Sequence, residues 1–131
     1  MNDASIRFIA VGHAGAQILS GLQARSGSSL ECAHADTSPE SLRLSLIDRK
    51  ITLGLSVSHG LGAGGDPEIG RLSAESDLSS IHEFTQGARL VFVITGLGGG
   101  TGSGAAPVIA RAARESGALV LVIATTPFDF E

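Results

Sequence analysis

Apolar positions fall into short blocks with two alternating rhythms. Ile6-Arg7-Phe8-Ile9-Ala10-Val11 reads as a first strand. Gly12 to Gly15 follows as a loop. From about Ala16 to Arg25, Ile18, Leu19 and Leu22 recur at helical spacing and predict a buried helix face. Gly27-Ser28-Ser29 breaks that helix, and a short strand is expected near Leu30 to Ala35. Ser38, Pro39 and Glu40 form a helix start: a capping hydroxyl, a proline at the first position and an acid in the first turn. Leu42, Leu46 and Ile47 are its expected inward face. Ile51-Thr52-Leu53 is a third short strand. Asp66-Pro67-Glu68 repeats the helix start, and one helix is expected from there, with Ile69, Leu72, Leu78 and Ile81 inward, ending before Gly87.

Leu90-Val91-Phe92-Val93-Ile94 is a near-continuous apolar run, as in a parallel strand covered on both faces. Ala105, Val108, Ile109 and Ala112 then sit at helical spacing, with Pro107 expected in the first turn. Ala118 to Ala124 reads as a further buried strand. Five strands alternate with four helices. The expected fold is therefore α/β, a doubly wound, mainly parallel sheet with helices on both faces and right-handed crossovers. Ligands of such sheets bind at the carboxyl ends of the strands, where the glycine-rich segments fall.

Composition narrows the chemistry. The 131 residues suit one domain. The single cysteine, Cys32, excludes a disulfide framework and a multi-thiolate metal site, and reads as a small core residue. Glycine supplies 18 of the 131 residues, about twice the usual ~7%. Lys50, the only lysine, lies between Arg49 and Ile51, so a Gly-Lys-Ser/Thr phosphate loop is excluded. A net charge of −4 with scattered basic residues argues against a nucleic-acid surface. No apolar run reaches the ~20 residues of a membrane helix, so no direct membrane insertion is expected. Met1-Asn2-Asp3 does not open a signal peptide, and a cytoplasmic setting is expected.

Gly98-Gly99-Gly100-Thr101-Gly102-Ser103-Gly104 holds five glycines in seven positions. That density is read as directed at a ligand rather than at core packing: successive amides form an anion nest, a helix N-terminus follows, and Thr101 and Ser103 add hydroxyls. Gly12-His13-Ala14-Gly15-Ala16-Gln17 brings further amides to a helix start, with His13 placed to touch phosphate and Gln17 to hydrogen-bond a ligand. Gly60 to Gly65 precedes another helix start and can wrap a terminal phosphate. Gly60, Gly62 and Gly65 also fit the dinucleotide spacing, but no first strand precedes them and the next strand ends in Ile94-Thr95 without an acid, so that reading is rejected. His13, His34, His59 and His82 lack metal-ligand spacing, and His34, His59 and His82 read as surface or satisfied buried side chains. No nucleophilic triad can be argued. Asp129 and Glu131 follow the last strand, where a carboxylate suits ribose hydroxyls.

These segments resemble the tubulin/FtsZ family. The loop from Gly98 to Gly104 resembles the family's signature loop. Gly60-Leu61-Gly62-Ala63-Gly64-Gly65-Asp66-Pro67-Glu68-Ile69-Gly70-Arg71 is similar to the bacterial FtsZ form of the third nucleotide loop, and Thr126-Pro127-Phe128-Asp129-Phe130-Glu131 to the segment after the fifth main strand. The resemblance covers the whole chain and implies a Rossmann-like nucleotide-binding domain. It implies GTP or GDP with Mg²⁺ carried on the nucleotide, and self-association into cell-division filaments. Carried over by position, Gly12, Gly15 and Gln17 lie in the first phosphate loop, Ala63, Gly64 and Gly65 face the γ-phosphate, Gly99, Gly100, Thr101 and Gly102 hold the α- and β-phosphates, and Glu131 contacts ribose.

Two departures stand out. Gly12-His13-Ala14-Gly15-Ala16-Gln17-Ile18 is closer to the tubulin form of the first loop, and Asp36-Thr37-Ser38 stands where FtsZ has Asn-Thr-Asp. The resemblance also implies that residues 1–131 are the N-terminal part of such a domain. The central helix, the guanine-reading residues, the hydrolysis loop and the second domain would lie beyond Glu131, leaving apolar surface uncovered. Two other readings remain at this level: a non-hydrolysing module that caps or co-assembles with a true FtsZ, and an unrelated dinucleotide-binding domain.

Overall fold

The computed structural model describes residues 5–26 and 30–126. The elements run β1 (Ile6–Val11), α1 (Gly12–Ser26), β2 (Glu31–Asp36), α2 (Pro39–Leu44), β3 (Arg49–Thr52), α3 (Leu55–Ser58), α4 (Pro67–Ser76), α5 (Leu78–Thr85), β4 (Leu90–Gly96), α6 (Gly100–Glu115) and β5 (Leu119–Thr125). The five strands form one sheet in the order β3-β2-β1-β4-β5, and every neighbouring pair is parallel. This is the expected doubly wound architecture, with its order reversing between β1 and β4.

Strand pleating sends alternate residues to two cores. Ile9, Val11, Val91 and Val93 pack on Ile81 and Phe84 of α5 and on Ala105, Ile109 and Ala112 of α6. Ala10 and Ile94 face the opposite side, with Ala16 and Leu19 of α1 and with Ile47. Both predicted helix starts form as expected. Ser38 Oγ accepts the Ser41 N–H at 3.2 Å, and Asp66 Oδ1 accepts the Glu68 N–H at 2.9 Å.

Several expectations are corrected. Gly12 to Gly15 is the first turn of α1 rather than a loop, and α1 buries Gly12, Gly15, Ala16 and Leu19 while Ile18 and Leu22 are exposed. Helix α2 stops at Leu44, where Ser45 turns extended. Ile47 reaches the core from coil, and Leu46 faces solvent at 81% exposure. The single helix expected after Asp66 is two. The Asp77 carboxylate accepts the Gly54 N–H at 2.7 Å, and the backbone leaves the helical region at Asp77. Helix α6 begins at Gly100, so Pro107 lies inside it rather than in its first turn, with its ring on the exposed face. Helix α3 gave no periodic signal, being one turn between two left-handed residues, Gly54 and His59. Finally, β5 is an edge strand rather than a buried one: Leu119, Leu121, Val122 and Ile123 are all exposed.

Candidate functional site

The topology brings the carboxyl ends of β1, β2, β4 and β5 to one edge. A cavity of about 770 Å³ opens there. Its walls are the first turn of α1 (Gly12, His13, Ala14), the β2–α2 turn (Asp36, Ser38, Ser41), the β4–α6 turn (Gly96, Leu97, Gly99, Gly100, Thr101, Gly102) and Thr125 and Thr126 at the end of β5. Seven sequence-predicted site residues therefore share one cavity: Gly12, His13, Ala14, Gly99, Gly100, Thr101 and Gly102.

Two helices aim their N-termini into this space. The cap of α6 is Gly99, which has no side chain to satisfy the first-turn amides. The amides of Gly100, Thr101 and Gly102 have no intrahelical acceptor and point outward. The start of α1 at Gly12 adds a second positive dipole end. Among the described residues, no lysine or arginine lines the cavity. An anion held here would meet amides, hydroxyls and helix dipoles.

The signature glycines divide by role. Gly98 takes φ +107°, a conformation that needs glycine, and its N–H donates to Ser103 Oγ at 2.9 Å. Ser103 thus holds the turn, and neither Gly98 nor Ser103 lines the cavity. At Gly99 an added Cβ meets nothing within 4 Å. The other three are packing residues. A Cβ at Gly100 would stand 2.7 Å from the Asp66 nitrogen, one at Gly102 would overlap the Gly96 carbonyl oxygen, and one at Gly104 the Pro67 carbonyl oxygen. The expectation that five glycines are not there for packing is wrong for these three: α6 lies directly on the backbone of α4 and of the β4 end. Gly15 likewise sits against the Ile94 carbonyl, away from the cavity.

Ala63 is buried, and its N–H donates to Thr37 Oγ1 at 3.1 Å. The following amides, of exposed Gly64 and Gly65, have no hydrogen-bond partner among the described residues. The segment from Gly60 to Gly65 follows α3 rather than a strand, which removes the context a dinucleotide fingerprint needs. Gln17 lines an adjoining cavity of about 400 Å³ with His13, Ser20 and His34. Glu131 and Asp129 lie outside the described residues.

Asp36, Thr37, Ser38 and Ser41 are not among the expected site residues, although Ser38 reads as a helix cap and Asp36-Thr37-Ser38 stands where FtsZ has Asn-Thr-Asp. Their signal was that correspondence together with position: a run of polar residues directly after the second strand of a doubly wound sheet. Asp36 is buried. Its Oδ2 lies 3.0 Å from His34 Nε2, and its Oδ1 accepts the Ser38 N–H at 3.1 Å. Burial pushes the Asp36 carboxyl upward, but the bonds from His34 and Ser38 and the proximity of the imidazole outweigh it and hold the group below the ordinary aspartate value. His34 is fully buried and its Nδ1 has no partner among the described residues, so it is not fully satisfied. No group of three or more His, Cys, Asp or Glu side chains among the described residues is arranged to hold a metal.

A wholly parallel doubly wound sheet with two helix N-termini on a carboxyl-edge cavity places the chain among α/β domains built to bind at a topological switch point. The family profile described as "Tubulin/FtsZ family, GTPase domain" matches residues 5–131. The chain belongs to the tubulin/FtsZ family. It is 38% identical over 131 residues to the cell division protein FtsZ of Neisseria gonorrhoeae, covering all of this chain and 33% of the relative. It is 42% identical over 121 residues to that of Caulobacter vibrioides, covering 92% and 24%. An FtsZ dimer of M. jannaschii superposes with a TM-score of 0.91 at 34% identity, over 96% of this chain and 37% of that one. The chain thus spans a third or less of the length of these curated relatives. Among the described residues, no helix is long and apolar enough to cross a membrane.

Proposed function

We propose that this chain is the nucleotide-holding part of an FtsZ-like, filament-forming GTPase of cell division, and that its carboxyl-edge cavity binds the phosphates of GTP or GDP. The uncapped first turn of α6, set beside the first turn of α1 in the cavity wall, carries this reading. The amides of Gly100, Thr101 and Gly102 and the Thr101 hydroxyl would hold the α- and β-phosphates, while Gly12, His13 and Ala14 form the adjoining wall. The unpartnered amides of Gly64 and Gly65 would take the terminal phosphate, with Ala63 anchoring that loop rather than donating to the ligand. Mg²⁺ would ride on the nucleotide, supplying the positive charge that the cavity walls lack. Self-association through FtsZ-like surfaces is part of the same proposal.

Gly99→Val is the decisive variant. The Gly99 backbone, at φ −95° and ψ 160°, is extended and suits a β-branched residue, and its Cβ direction is open. The valine adds bulk at a residue of the cavity wall, and its Cβ meets no neighbouring atom within 4 Å. Gly100→Val would be a poorer test, because its side chain strikes Asp66 and Gly65 and perturbs folding as well. Calorimetric titration with GTP, GDP and ATP at matched Mg²⁺ should show guanine-nucleotide binding by the native chain. Gly99→Val should lose it at unchanged stability. Absence of binding by the native chain, or unaltered binding by Gly99→Val, would refute the proposal. The ratio of GTP to ATP affinity reports how far the base is read.

A further inference from the structure

Three segments at the carboxyl edge meet on one side chain that is not in the cavity wall. Thr37 follows β2 and is 2% exposed. Its Oγ1 accepts the Ala63 N–H at 3.1 Å and lies 2.6 Å from Oγ1 of Thr101, in the first turn of α6. Distance alone leaves open which threonine donates; burial decides it. If Thr101 donated, the Thr37 proton would be left in a buried place without an acceptor, which proteins avoid. If Thr37 donates, its proton is satisfied, and the half-buried Thr101 keeps its own proton for an acceptor in the cavity. The bonds then run one way, from the Ala63 N–H through Thr37 to Thr101 and on into the cavity, each polarising the next.

We infer that Thr37 is a positioning residue for the nucleotide site. It aims the Thr101 O–H at a phosphate oxygen and ties the loop carrying Gly64 and Gly65 to the α6 cradle, so one hydroxyl links the terminal-phosphate loop to the rest of the site. The inference rests on the function proposed above, and it adds a residue that touches no ligand. Removing the hydroxyl frees Thr101 to turn away and leaves the Ala63 amide without its acceptor. Thr37→Ser keeps both bonds.

The test titrates Mg²⁺-GTP and Mg²⁺-GDP into the full chain and into Thr37→Val, Thr37→Ser, Thr101→Val and the Val/Val double variant, with circular dichroism to verify folding. Thr37→Val should lose about tenfold in GTP affinity, the worth of one charge-assisted hydrogen bond, and the preference for GTP over GDP should shrink. Thr37→Ser should stay within about twofold of the native chain. The double variant should lose no more than the worse single one, because both changes break the same relay. Exchange of the Ala63 amide, read without nucleotide, should be faster in Thr37→Val than in Thr37→Ser. If Thr37→Val does not fold, Thr37→Ala removes the same hydroxyl with a smaller side chain. Native affinity in Thr37→Val, additive losses in the double variant, or equal Ala63 exchange in the Val and Ser variants would overturn this inference and leave the proposed function standing. A native chain that binds neither nucleotide overturns both.

Discussion

Adding one methyl group at Gly104 tests the close contact between α4 and α6. The new Cβ would overlap the Pro67 carbonyl oxygen and stand 2.7 Å from the Arg71 nitrogen and 2.8 Å from the Pro67 carbonyl carbon. All three are backbone atoms, so no side-chain rotation relieves the clash. The helices must part by roughly an ångström to reach ordinary contact. The same interface also seats Gly70 against the Gly100 carbonyl, so the strain spreads along it. Overpacking of this kind costs up to about 3 kcal/mol. Alanine returns about 1 kcal/mol through its better helix propensity. The expected net loss is about 2 kcal/mol, or a fall in Tm of roughly 6–10 °C for a chain of this size. Gly21→Ala is the matched control. It lies inside α1, and its Cβ would meet nothing within 4 Å, so it should stabilise by up to about 1 kcal/mol. Urea denaturation followed by circular dichroism reads both variants as midpoint shifts at constant slope. The reasoning fails if Gly104→Ala is as stable as the native chain, or if both variants move in the same direction.

Two further predictions concern titrating groups. Burial, and after it the charge of Glu31, pushes the Cys32 thiol up to about 11, so iodoacetamide at pH 8 should modify it only once the chain is unfolded; labelling of the native chain at a free-thiol rate would contradict this. The Asp36 carboxyl sits below its unfolded value of about 3.9. Its contribution to stability is therefore present above that pH and lost as pH falls through the lower folded value. Asp36→Asn should be less stable than the native chain at pH 7, with the difference closing below about pH 4. An unchanged difference from pH 7 to pH 3 would count against this account.

The fold was legible because its strands are short apolar runs and two of its helices carry side-chain caps, Ser38 and Asp66, that name their own start. The cavity edge was legible because the glycine segments at Gly12 and Gly98 follow the ends of β1 and β4. What misled is also physical. Glycine carries no side chain, so a position kept bare for a ligand and one kept bare for a neighbouring backbone look alike; Gly99 and Gly104 differ only in three dimensions. Leu46 and Ile47 fit helical spacing, yet α2 had already ended, because Ser45 turns extended. The unbroken apolar run of β5 reads as a buried strand, yet among the described residues it lies at the sheet edge with its apolar side chains exposed. Thr37 sits in the segment that corresponds to Asn-Thr-Asp, but its service to two other segments shows only in three dimensions.

The seating of α6 on bare backbone bears on what its signature can certify. Gly100, Gly102 and Gly104 are fixed by the shape of the protein around them. A descendant that had given up its ligand would still lose stability on replacing them. Those three glycines therefore report on architecture whether or not a ligand is bound, which the open position of Gly99 does not.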